Sequence, residues 1–144
     1  MTCSEFLSAL SSRHIRTAPA TDGRQIELTN AALRGRRFAL LPHSLIEFYA
    51  YAGGANLNNA YIFGPTETSY HRSFVVPDIV TVNNDMGPLG LASGMTIFGR
   101  NDLFWFAYDA FGVFYMLDNL TLRPLRRYED IQRAIMDCLI AGKI

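Results

Sequence analysis

Residues 94–122 read GMTIFGRNDLFWFAYDAFGVFYMLDNLTL, and this stretch decides the fold. Four short runs, 95–98, 103–108, 113–117 and 120–122, are rich in β-branched and aromatic residues, which suit a pleated, half-buried surface. Between them lie 99–102, 109–112 and 118–119, whose Gly, Asn and Asp tolerate the backbone of tight turns. Connections this short join antiparallel neighbours, because a parallel crossover needs a dozen or more residues. The spacing therefore predicts a β-meander. In the second run Leu103, Trp105 and Ala107 alternate with Phe104, Phe106 and Tyr108, so both faces are apolar. Such a strand reads as central and covered on both sides, with Trp105 in the core.

On the C-terminal side, Tyr128, Ile131, Ala134, Ile135, Cys138 and Leu139 form one helical stripe, with Glu129 and Asp130 in its first turn and Gly142 as its C-cap. On the N-terminal side, residues 74–86 are ambiguous. Val75, Val76, Ile79, Val80 and Val82 favour a strand, while Ile79, Val82 and Met86 share a helical face that Pro77 could open; propensity alone favours the strand. Residues 64–73 lack an apolar period and read as exposed loop, after a short strand at 61–63. Leu41, Leu45, Phe48, Tyr49 and Ala52 have helical spacing, with Pro42 in the first turn and Gly53 and Gly54 as the stop. Residues 17–25 read as loop, and Thr29 or Asn30 caps a short helical turn through Leu33. Thr2 and Glu5 have the spacing of a capping box ahead of Phe6, Leu7 and Leu10, with Arg13 and His14 in the last turn. Helices, then strands, then a closing helix make an α+β order in a single domain spanning 1–144.

Composition narrows the function. Of 144 residues 49% are apolar and 18% charged, with 13 basic against 13 acidic side chains, which is too apolar for a disordered chain. That balance speaks against nucleic-acid binding, which needs a basic excess or a basic face. No run of eighteen apolar residues predicts a membrane span, and residues 1–5 lack a signal peptide's basic start and apolar stretch. Cys3 and Cys138 lie on apolar helix faces near opposite ends. They read as reduced, buried and cytoplasmic.

A search for chemistry yields little. His14, His43 and His71 are far apart and match no metal-ligand spacing. There is no serine nucleophile elbow, P-loop or dinucleotide fingerprint. Asp102, Asp109 and Asp118 end successive strands, so Asp109 falls at the opposite end of the meander from the other two. Across a strand of about six residues that separation is roughly 17–20 Å, too far for paired-carboxylate or metal chemistry. Turn formation accounts for those aspartates, and a small metal-dependent hydrolase built on them is the weaker alternative. The aromatics between Phe98 and Tyr115 carry Arg100 as their sole basic companion, which argues against a single-strand stacking platform.

The 41–54 segment, LPHSLIEFYAYAGG, resembles the leucine-proline, helix, glycine-pair opening of the Smi1/Knr4 (SUKH) superfamily. Residues 94–99, 106–109 and 112–118 are similar to that family's strands, with Gly and Asp at matching places, and 128–139 resembles its closing helix. The likeness covers roughly 41–141. It implies an α+β domain of mainly antiparallel sheet with packed helices, and a helix near 77–86, which is adopted here over the propensity vote. Bacterial members are regarded as immunity proteins that neutralise a cognate toxin; fungal members regulate cell-wall glucan synthesis through protein contacts. Neither role is catalytic, and the resemblance supplies no catalytic residue, cofactor or metal ligand.

The expectation is thus a non-catalytic cytoplasmic protein-binding domain whose partner is a toxin, with no nucleic acid, no membrane and no cofactor; the alternative the resemblance leaves open is a regulatory or scaffold protein of cell-wall glucan synthesis. The candidate contact surface is 54–73, where Asn56, Asn58, Asn59, Tyr61 and Tyr70 offer aromatic area and adaptable hydrogen bonds. An ordinary solvated loop is the competing reading of that segment.

Overall fold

The computed structural model describes residues 1–71 and 74–140. Its first helix, α1 (Cys3–Ser12), opens on the predicted capping box: the Thr2 hydroxyl accepts the Glu5 N–H at 3.1 Å and the Glu5 carboxylate accepts the Thr2 N–H at 2.9 Å. Arg13 is its C-cap and His14 has φ 62°, so this basic pair lies beyond the last turn rather than in it. Strand β1 (Arg16–Thr17) follows, and then α2 (Gly23–Gly35), where a loop and a single turn were expected. Asp22 starts α2 by accepting the Gln25 N–H, which places Thr29 and Asn30 in mid-helix. Asn30 instead holds the next segment, accepting the Leu41 N–H at 2.9 Å. In α3 (His43–Tyr49) Pro42 is the N-cap, one position before the first turn.

The sheet follows. Strands β2 (Ala55–Leu57) and β3 (Ala60–Ile62) form a hairpin turned at Asn58 and Asn59, with φ 52° at Asn58. Residues 68–76 are not all loop: β4 (Thr68–His71) pairs with β5 (Phe74–Val76) in a separate two-stranded sheet. The ambiguous segment therefore splits into a strand and then α4 (Ile79–Ser93), whose start Asp78 caps through Thr81 and whose course is broken at Gly87 (φ 55°). The helix that the resemblance implies for 77–86 is present.

The meander comprises β6 (Met95–Arg100), β7 (Phe104–Asp109), β8 (Phe114–Asp118) and β9 (Pro124–Tyr128). Its last strand sits four residues later than expected. Asp118 explains the shift: its carboxylate accepts the N–H groups of Leu120 and Thr121, at 2.9 and 2.7 Å, and the Thr121 hydroxyl. These bonds turn 120–122 back on itself, and Leu122 takes φ 58°. Tyr128 consequently ends a strand, and Glu129 and Asp130 precede α5 (Ile131–Ile140), with Asp130 accepting the Arg133 N–H. Gly142 lies outside the described residues.

All neighbours in the seven-stranded sheet, ordered β1-β2-β3-β6-β7-β8-β9, are antiparallel. This is one α+β domain. Where β2 and β3 meet the loop before β4, Gly64 passes so close to Gly53 that a Cβ on it would stand 1.7 Å from the Gly53 carbonyl oxygen, so only glycine fits.

The two faces of the sheet differ. On one, Phe98, Phe106, Tyr108 and Phe114 form a buried aromatic cluster that runs on to Tyr128. Helix α5 lies on this closed face, with the Cys138 sulfur 3.3 Å from where a Gly99 Cβ would stand. Ala39, in the segment before α3, accepts the hydroxyls of Tyr108 and Thr96 there. On the other face α4 packs against β6 but leaves part of the surface open.

Candidate functional site

The open part is a groove of about 510 Å³ between β3, the β6–β7 rungs, the β4–β5 hairpin and α4. Register builds its floor. A bulge between Ile97 and Gly99 in β6 brings Arg100 directly opposite Trp105 on the same face, and the guanidinium sits over the indole at 4.7 Å. Tyr61 lies opposite Arg100 on the other side and stacks on Phe74 of the hairpin, ring centres 5.6 Å apart at 24°. Met86 and Asp85 of α4, Asn59 of the hairpin turn and Asp102 also line it, with apolar surface from Phe63, Val76, Pro77 and Val82. Trp105 is thus half-buried at a groove, not enclosed in the core as its apolar neighbours suggested.

Two anchors hold the walls. Where β3 diverges from β6, the buried Asn83 side chain takes over the strand pairing: it accepts the Ile97 N–H at 2.8 Å and donates to the Ile97 and Ile79 carbonyls at 2.9 and 2.8 Å. One amide thereby fixes α4 to the sheet beside the groove. The β6–β7 turn is held by Asn101, which accepts the N–H groups of Leu103 and Phe104 and donates to the Cys138 carbonyl.

The five residues expected to contact a partner fall in three environments. Asn59 and Tyr61 line the groove, and Asn58 is exposed at the hairpin tip beside it. Asn56 is not on exposed loop: it is 1% exposed and donates to the carbonyls of Asn58 and Ala60, stapling the hairpin from within. Tyr70 is half-buried, with its hydroxyl against Gly54 and no hydrogen-bond partner among the described residues. Burial pushes that phenol well above its ordinary range.

The aspartates sit as the turns require. Met95 pairs with Asp109 and Phe104 with Asp118, which puts Asp109 at the opposite end of the strands from Asp118 and the β6–β7 turn. Asp109 accepts the N–H groups of Phe111 and Val113 and the Tyr115 hydroxyl. Hydrogen bonds from Thr121 and Leu120 hold the Asp118 carboxyl below its usual range. Among the described residues no three His, Cys, Asp or Glu side chains stand close enough to hold a metal ion. His14 and His43 stand apart, and the His71 side chain lies outside the described ones.

Both thiols are free. Cys138 is buried and desolvation pushes it far up, whereas Cys3, expected to be buried, is half-exposed at the first position of α1. No described helix is long and apolar enough to cross a membrane.

Sequence reasoning identified Asn59 and Tyr61 but missed Phe74, Asp85, Arg100 and Trp105 as their neighbours. A lone arginine one short turn before the lone tryptophan was a usable signal, because a turn of that length sets the two side by side. Compared with known proteins, the chain matches no family model and no curated protein.

Proposed function

We propose that the chain is a non-catalytic protein-binding domain that uses the open-face groove to hold its partner. The observation that carries this is the aromatic floor, where Tyr61, Phe74 and Trp105 are left partly uncovered side by side at the groove while Phe98, Phe106, Tyr108 and Phe114 are enclosed. Partly exposed rings held in fixed rotamers supply contact area at low entropic cost, and aromatic anchors dominate measured interface energies. The partner we propose is a cognate bacterial toxin domain, met in the cytoplasm, with the chain acting as its immunity protein. That assignment rests on the Smi1/Knr4 resemblance of 41–54, 94–99, 106–109, 112–118 and 128–139, together with a scaffold of packed helices and antiparallel sheet of the kind the resemblance implies.

The test is binding to the toxin domain encoded beside this chain's gene, measured by calorimetry. Tyr61→Ala and Trp105→Ala should each weaken binding by about thirtyfold, the value of a central aromatic anchor. Asp118→Asn, which is outside the groove lining and whose carboxylate is turned into its own loop, should leave it near wild type. Wild-type affinity in both aromatic variants would overturn the groove as the contact surface, and no binding by the wild type would overturn the partner.

A further inference from the structure

The charges around the groove say what kind of segment it takes. Among the described residues three charged side chains line it: Asp85 on α4, Asp102 in the β6–β7 turn, and Arg100 between them in sequence on β6. Both aspartates are exposed, and neither forms a hydrogen bond or ion pair with a described residue. They differ in this from Asp22, Asp78, Asp109, Asp118, Asp130 and Asp137, each of which accepts at least one N–H or O–H from its surroundings. Arg100 is already engaged, its guanidinium lying over the Trp105 ring. Stacking leaves the guanidinium its charge, so the described lining carries two carboxylates against one guanidinium, an excess of one negative charge. Between them lies apolar surface from Tyr61, Phe74, Met86 and Trp105.

Resting on the reading of the groove as a partner-binding surface, we infer that the segment it holds carries a lysine or arginine beside an apolar side chain. An apolar group fits the floor, where the flexible Met86 thioether adapts to its shape. A long basic side chain lays its methylenes along the stacked Tyr61 and Phe74 rings and brings its cation to Asp85 or Asp102. An acidic segment would instead meet a described lining in which carboxylates outnumber cations, which is how charge patterning disfavours wrong partners.

Trp105 is the chain's single tryptophan, so its fluorescence reports groove occupancy without a label. The probes are N-acetyl-leucyl-arginyl-leucinamide and its glutamyl counterpart, titrated into the full chain at low and at high salt. The basic peptide should give a saturable change in Trp105 emission that weakens as salt rises. The acidic peptide should bind about tenfold more weakly, as should the basic peptide to the Asp85→Asn, Asp102→Asn double variant, since two rim charge pairs are removed. Both substitutions are isosteric and exposed, and an unchanged circular dichroism spectrum shows that the variant is folded. Equal or tighter binding of the acidic peptide, or no binding of the basic one, overturns the inference. If the basic peptide fails while toxin binding still depends on Tyr61 and Trp105, the charge argument falls and the groove stands. If toxin binding is indifferent to those two residues, the groove itself falls.

Discussion

The two faces of the seven-stranded sheet both carry aromatic side chains, yet they end in different states. On the closed face Phe98, Phe106, Tyr108 and Phe114 interlock beneath helices, and none is more than 4% exposed. On the open face Trp105, one residue from Phe106 on β7, and Tyr61 on β3 keep a surface toward solvent. Aromatic content therefore does not distinguish core from contact surface. Coverage does, and coverage is set by where α4 and the β4–β5 hairpin are anchored. A protein gains rigidity from the first face and a place to bind from the second.

The comparison breaks first at Phe106. Phe106→Ala should cost about 3–5 kcal/mol, the loss typical of a large aromatic cut from a packed core. Equilibrium denaturation measures it, and a loss below that of Trp105→Ala would invert the assignment of the faces. Next comes Asn83→Ala, which strands the N–H and carbonyl of Ile97 without partners in a buried setting. It should cost about 3 kcal/mol, given roughly 1–3 kcal/mol for each buried polar group left unsatisfied. Smaller again is Trp105→Ala, at about 1–2 kcal/mol, because a half-buried ring has less surface to lose; a cost as large as that of Phe106→Ala would show that the groove is closed in solution.

The smallest effect near neutral pH concerns the buried phenols. Desolvation raises the Tyr49 and Tyr108 pKa values far above the ordinary value of about 10. Their contribution to stability is fully present below about pH 10, the unfolded value, and is lost as pH rises above it, because only the unfolded chain ionises readily. Stability should be flat up to that point and then fall steeply, with phenolate absorbance for these two residues appearing only on unfolding. Ionisation of every tyrosine without loss of structure would contradict their burial.

Much of this was legible in the sequence, and the misses share a cause. The capping box at Thr2 and Glu5, the first three meander strands and the separation of Asp109 from Asp102 and Asp118 follow from local spacing, which is all a sequence displays directly. Strand β9 was misplaced because Leu120, Thr121 and Leu122 have strand-like side chains, while the Asp118 carboxylate binds their backbone into a turn. Helix α2 was cut short because Gly23 and Arg24 hide a start that Asp22 makes with one hydrogen bond. Trp105 was read as core because alternation shows that both faces of β7 are apolar, not that a helix covers each. Asn59 and Tyr61 were named from composition alone; that Phe74 and Asp85 join them depends on the packing of the β4–β5 hairpin and on Asn83 holding α4, which are long-range facts.

The most direct test of the difference between the faces is acrylamide quenching of Trp105 in the folded protein. With the half-buried indole at the groove and Arg100 over its ring, quenching should reach a substantial fraction of that in the urea-unfolded chain, and Arg100→Ala should raise it further. Emission that stays blue-shifted and unquenched until the protein unfolds would mean that both faces of the sheet are closed, and the groove would then have no floor to offer a partner.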